Sequence, residues 1–110
     1  MTPALVVGGR GLIGGAVVAV LDARGVPVHY TTRHRASSLD NSRALYLGLL
    51  EPGATLPDLE GRRAVYLIAG VGGRKRCARD PDMWRVNADA PRALACQAAR
   101  RGWHVVFIST

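Results

Sequence analysis

ALVVGGRGLIGGAVVAVLDARG, residues 4–25, holds a short apolar run, a glycine cluster and a helical pattern in that order. Ala4–Val7 reads as a buried strand. Gly8, Gly9, Gly11 and Gly14 then make a tight turn, and Leu12, Ile13, Ala16, Val17, Val20 and Leu21 recur at helical spacing as one apolar face. Gly25 stands where a helix C-terminal cap is expected. A strand, glycine turn and helix in succession bring bare backbone N–H groups to a helix N-terminus, where a phosphate can bind. The cluster satisfies two spacings. Gly9-x-Gly11-x-x-Gly14 is the general dinucleotide fingerprint, and Gly8-x-x-Gly11-x-x-Gly14 is a second form with the same mechanics.

Strand and helix signals alternate through the rest of the 110 residues. The pattern predicts a second strand over Val26–Thr31, with Pro27 near its start. A short third strand is expected at Ala44–Leu47 and a fourth at Ala64–Ala69. That fourth run, AVYLIA, is continuously apolar, as suits a parallel strand covered on both faces. Asp80-Pro81 opens a helical pattern running to about Arg101, which Pro91 should kink or restart and Gly102 should cap. Val105–Ile108 reads as the fifth strand. This alternation predicts an α/β fold: a Rossmann-like, doubly wound parallel sheet of order 3-2-1-4-5, truncated after the fifth strand, in a single domain spanning 1–110.

Composition narrows the function classes. Hydrophobic residues are 48% of the chain, enough for a core, and aromatics only 5%. No apolar run nears the ~18 residues a membrane span needs, and no secretory signal is visible, so a cytoplasmic protein without a membrane partner is expected. Cys77 and Cys96 form no CxxC and read as thiols of a reducing compartment; no metal set is seen. The formal net charge is +7, and Lys75 is the single lysine among fifteen basic residues. The arginines are scattered rather than striped, which disfavours a nucleic-acid surface. Arg74-Lys75-Arg76 follows Gly72-Gly73 and reads first as a solvated loop, next as an anionic-ligand contact.

The second strand ends Tyr30-Thr31-Thr32-Arg33-His34-Arg35. An NAD-selective site wants an acid here, about 20 residues past the glycines, for the ribose 2′-hydroxyl. Hydroxyls and arginines instead suit a 2′-phosphate, because arginine offers a permanently charged, bidentate fork. NADP is therefore favoured over NAD, with Arg33 the leading contact and Thr32 and Arg35 next; the alternative is an ordinary polar loop. His34 reads as a solvated loop residue. Ala69 and Gly70, at the end of the fourth strand, leave room for the ligand, or simply serve a glycine-rich turn.

These landmarks together resemble the N-terminal part of an extended short-chain dehydrogenase/reductase of the NAD(P)-dependent epimerase/dehydratase group, most similar to its dTDP-4-dehydrorhamnose reductase-like, sugar-nucleotide-binding branch. VVGGRGLIG matches the cofactor turn, which assigns Gly8, Gly11, Leu12, Ile13 and Gly14 to the cofactor. VYLIAG matches the family's apolar strand ending in small residues. Cys77-Ala-Arg-Asp-Pro81 with Asn87 resembles its Cys-x-x-x-Pro…Asn helix, and Val105–Thr110 its strand bearing the catalytic hydroxyl. The resemblance implies an NADP-binding segment of a nucleotide-sugar reductase or epimerase, with Thr110, or alternatively Ser109, holding a substrate oxygen; a strand-end capping role is the other reading for both. Asn87 would shape the site or cap the helix near Pro91. Two departures stand out. Gly48 occupies the place where the family commonly has an adenine-contacting Asp, and the catalytic Tyr-x-x-x-Lys pair does not occur, since Lys75 has Val71 four residues before it. A non-catalytic NAD(P)-binding regulatory module is the second reading and a basic nucleic-acid-binding domain the third. An oligomer is possible on either of the first two.

Overall fold

Residues 1–35, 41–51, 53–68 and 88–108 are described by a computed structural model. Five strands run parallel: Ala4–Val7 (β1), Val28–Thr32 (β2), Ala44–Tyr46 (β3), Ala64–Leu67 (β4) and His104–Phe107 (β5). They form one sheet in the order β3-β2-β1-β4-β5, as the alternation of strands and helices predicts. Ala4 lies beside Val28 on one side and Ala64 on the other, and Ala64 in turn beside His104.

Among the described residues, two helices cover opposite faces. Leu12–Ala23 (α1) follows β1, and Ala90–Arg100 (α2) precedes β5. Successive side chains of a strand point to opposite faces, so β1 serves both layers. Ala4 and Val6 pack with Val18 of α1 and Val28, while Leu5 and Val7 join Val65, Leu67, Leu94, Ala98 and Trp103 on the α2 side. Each helix ends on a glycine in the left-handed region. Gly25 N donates to Asp22 O and Val26 N to Leu21 O; Gly102 N donates to Ala99 O and Trp103 N to Ala98 O. This paired-bond stop satisfies the last carbonyls and turns the chain into the next strand.

Strand boundaries shift from the expected ones for local reasons. β2 begins at Val28 rather than Val26 because the Val26 N–H closes the end of α1 and Pro27 has none. β3 ends one residue earlier, at Tyr46, although Leu47 N still donates to Thr32 O. β4 ends at Leu67, with Ile68 N donating to Val7 O. β5 starts one residue earlier, at His104, which donates to Arg63 O. Of the long helix expected over 80–101, α2 accounts for 90–100, with Pro91 in its first turn; residues 69–87 lie outside the described residues.

Of the six residues expected on the inner face of α1, Leu12, Ile13, Ala16 and Val20 are exposed, and Val17 and Leu21 face the sheet. Leu12 is 93% exposed, Val20 53% and Ile13 47%. The stripe that meets the sheet is Gly14, Val17, Val18 and Leu21. At 3.6 residues per turn, Leu12 and Ala16 fall opposite that stripe. Gly14 sets the phase, because its missing side chain is what lets the helix approach the turn.

Candidate functional site

The glycine turn, the α1 N-terminus and the end of β2 share the carboxyl edge of the sheet. Gly8 has φ of 92°, a conformation that L side chains rarely adopt. Its N–H donates to Thr31 Oγ1 at 3.0 Å, and its carbonyl accepts from Gly11 N at 3.2 Å. Thr31 is buried and so ties the turn to the neighbouring strand. Gly9 is packed on the Tyr30 side chain: a Cβ on Gly9 would lie 2.8 Å from Tyr30 Cγ. A Cβ on Gly14 would run into the Gly8 carbonyl. Gly11, by contrast, is exposed, and a Cβ there would meet only Gly8 O, at 3.6 Å.

Gly11 is the N-cap of α1, with no side-chain cap bond and no acidic residue in the first turn. The first N–H groups of such a helix carry partial positive charge and want an acceptor. Leu12 and Ile13 flank them, exposed. Backbone donors at an open, unblocked glycine cradle are what a pyrophosphate needs, and the residues present fit that group.

At the end of β2, Thr32 is 4% exposed, and its Oγ1 accepts from His34 N at 3.1 Å. The hydroxyl thus shapes the turn that carries Arg33 and keeps its own hydrogen to donate. Arg33 and His34 are exposed. The Arg35 guanidinium stacks 3.9 Å from the Tyr46 ring centroid and lies 3.6 Å from Glu51 Oε1. Tyr46 donates its hydroxyl hydrogen to Glu51, and this bond, before burial and the nearby carboxylate charge, pushes the phenol above its ordinary pKa. Gly48 lies two residues past β3, and Glu51 folds back over it. A concavity of about 180 Å³ between Tyr46, Gly48, Glu51 and Thr55 is smaller than the ~300 Å³ or more of typical ligand clefts.

The expected contacts Gly8, Gly11, Leu12, Ile13, Gly14, Thr32, Arg33 and Arg35 therefore gather at one edge on β1, α1 and β2. Ala69, Gly70, Thr110, Ser109, Asn87 and the Arg74–Arg76 run lie outside the described residues. Sequence reasoning missed Thr31, Tyr46 and Glu51. For Thr31 the available signal was a hydroxyl on β2 beside the strand that enters the turn; Tyr46 and Glu51 carried none. Among the described residues no three His, Cys, Asp or Glu side chains come together for a metal, and no helix is long and apolar enough to cross a membrane.

Known proteins bear directly on this arrangement. Residues 4–110 match the model of the NAD dependent epimerase/dehydratase family. No curated protein matches the chain in sequence. Among solved structures, it is similar to a short-chain dehydrogenase/reductase superfamily protein from Agrobacterium tumefaciens with bound NAD (TM-score 0.67, 24% identity, 97% of this chain and 32% of that one). It is also similar to a short-chain dehydrogenase/reductase from Burkholderia vietnamiensis (0.65, 20%, 99% and 65%) and to the TT0495 protein from Thermus thermophilus (0.62, 25%, 99% and 56%). The chain thus spans between about a third and two thirds of the length of these structures. With the family model covering nearly every residue from the first strand onward, and the glycine turn, sheet order and helix placement all in accord, the chain belongs to the NAD dependent epimerase/dehydratase family.

Proposed function

We propose that this chain is the cofactor-binding part of an NADP-preferring oxidoreductase or epimerase of the dTDP-4-dehydrorhamnose reductase-like, sugar-nucleotide-binding branch. The observation that carries the reading is the uncapped, acid-free N-terminus of α1 set over the glycine turn and beside a β2 end rich in arginine. The backbone donors around Gly11 receive the pyrophosphate, and Gly8 and Gly14 keep turn and helix close enough to present them. Leu12 and Ile13 shield that contact from water. Arg33, with Arg35 and Thr32, holds the 2′-phosphate. Ala69 and Gly70 leave space beside the nicotinamide half, and Thr110 holds a substrate oxygen. When bound, the dinucleotide supplies hydride exchange at a sugar carbonyl or alcohol. Proton transfer in this family rests on a Tyr-x-x-x-Lys pair, and these 110 residues contain none. The chain by itself therefore binds cofactor weakly and turns nothing over.

Titrating the full chain with NADPH and NADH tests the reading. NADPH should bind more tightly, and Arg33→Ala should weaken NADPH about tenfold, the loss of one charge-assisted bond, with NADH little changed. Equal affinities, or none, would remove the NADP assignment. The missing Tyr-x-x-x-Lys also favours a second reading, a non-catalytic dinucleotide-binding module. Turnover of a nucleotide sugar by this chain alone would exclude it.

A further inference from the structure

Three side chains meet at the carboxyl ends of β2 and β3, and none of the roles assigned above explains their arrangement. Arg35 lies flat on Tyr46, Glu51 sits against the Arg35 guanidinium, and Tyr46 donates to the same Glu51 carboxylate. The backbone has been cleared for this. A Cβ on Gly48 would come within 2.7 Å of both Glu51 Cδ and the Tyr46 hydroxyl oxygen, so a side chain at 48 would displace the carboxylate and phenol that close over the chain. Arg35 is also one of the arginines placed for the 2′-phosphate. The one carboxylate in the cluster therefore lies against a guanidinium needed by an anionic ligand.

We propose that Glu51 is a specificity-determining residue, whose carboxylate holds Arg35 on Tyr46 and competes with an incoming 2′-phosphate for the same guanidinium. The inference rests on the NADP reading above and adds a counterweight to it. A 2′-phosphate brings between one and two negative charges, so it meets both an occupied arginine and direct repulsion from Glu51. A bare ribose 2′-hydroxyl brings no charge and can donate a hydrogen bond to the same carboxylate. Arg33 and Arg35 thus favour the phosphorylated dinucleotide, Glu51 disfavours it, and the balance between them sets the preference. The pair is well exposed, at 73% for the Arg35 side chain and 50% for Glu51, so the effect is modest and screened by salt.

The test uses the full chain as wild type, Glu51→Gln and Gly48→Ala, with folding verified by circular dichroism. NADPH and NADH affinities are measured by calorimetry at low ionic strength. Glu51→Gln should tighten NADPH by roughly 3- to 5-fold and move NADH by less than about 2-fold. Gly48→Ala displaces only the far ends of two side chains and should shift the ratio the same way. A ratio that rises in both variants supports the role of Glu51, and a wild type without NADPH preference still removes the NADP assignment. A wild type that prefers NADPH, with a ratio neither variant changes, overturns the role of Glu51 and leaves the cofactor reading standing. No NADPH preference in any of the three proteins overturns both.

Discussion

A Cβ on Gly14 would stand 2.8 Å from the Gly8 carbonyl carbon, so the first helix and the turn before it are separated by the thickness of a hydrogen atom on Gly14. Gly8 cannot retreat. Its N–H is bonded to buried Thr31, and its carbonyl accepts from Gly11 N.

Gly14→Ala should therefore cost about 1–3 kcal/mol or more, the range for overpacking a tight contact. Urea denaturation followed by circular dichroism measures it. An unchanged midpoint would mean that α1 does not rest on the turn as described.

Gly11→Ala separates fold from binding. Gly11 has φ of −75°, which alanine adopts freely, and space for a methyl group. Stability should fall by only about 0.5–1 kcal/mol, since alanine is a poorer N-cap than glycine. The methyl group would stand in the path proposed for the pyrophosphate, so NADPH affinity should drop about tenfold or more. Binding that survives in a well-folded variant would place the dinucleotide elsewhere.

Thr31→Val keeps the shape of the side chain and removes the acceptor for Gly8 N. A buried donor left unpaired costs about 1–3 kcal/mol. Thr31→Ser should recover most of that loss. Equal stability of the valine and serine variants would show that the bond contributes nothing.

At the opposite end of the sheet, burial, then Arg63, then Arg43 hold the His29 pKa below its ordinary 6.5. Among the described residues His29 Nδ1 has no hydrogen-bond partner, and Arg63, only 5% exposed, has Nε and Nη1 in the same condition. Because the folded state binds this proton less readily than the unfolded chain, the contribution is complete above about pH 6.5 and is lost as pH falls toward the lower folded pKa. The melting temperature should drop between pH 7.5 and about 5.5, above the range where carboxylates titrate. His29→Gln should flatten that slope, and Arg63→Met, by removing a nearby positive charge, should shrink it. A slope unaltered by His29→Gln would assign it to another group.

Much of this architecture could be read along the chain because its determinants are local. Ala4–Val7 is apolar at every position, as a strand with two covered faces must be, and Gly25 and Gly102 mark helix stops through a conformation few other residues take. The glycine turn was legible for the same reason. Facing was less so: Leu12 and Val20 look like core residues, but which side of α1 turns inward depends on where Gly14 meets Gly8, which no periodicity encodes. The Arg35–Tyr46–Glu51 cluster was invisible. Its members are 5 to 16 positions apart, on different elements, and only the alignment of the β2 and β3 ends brings them together.

The register of β1 has a consequence for how the chain comes to be folded. Ala4 pairs with Val28 early and with Ala64 much later, and the face bearing Leu5 and Val7 is covered in part by Leu47 and Leu56 and in part by the distant Leu94, Ala98 and Trp103. During synthesis the first strand emerges well ahead of the residues that shelter it. β1, α1, β2 and β3 can assemble as a three-stranded unit, leaving part of an oily surface bare until residues 94–103 have been made. Such late-closing parallel pairings are slow, and the waiting intermediate is prone to stick to its neighbours. The yield of native protein should therefore respond to the rate of elongation and to chaperone supply more than its final stability would suggest.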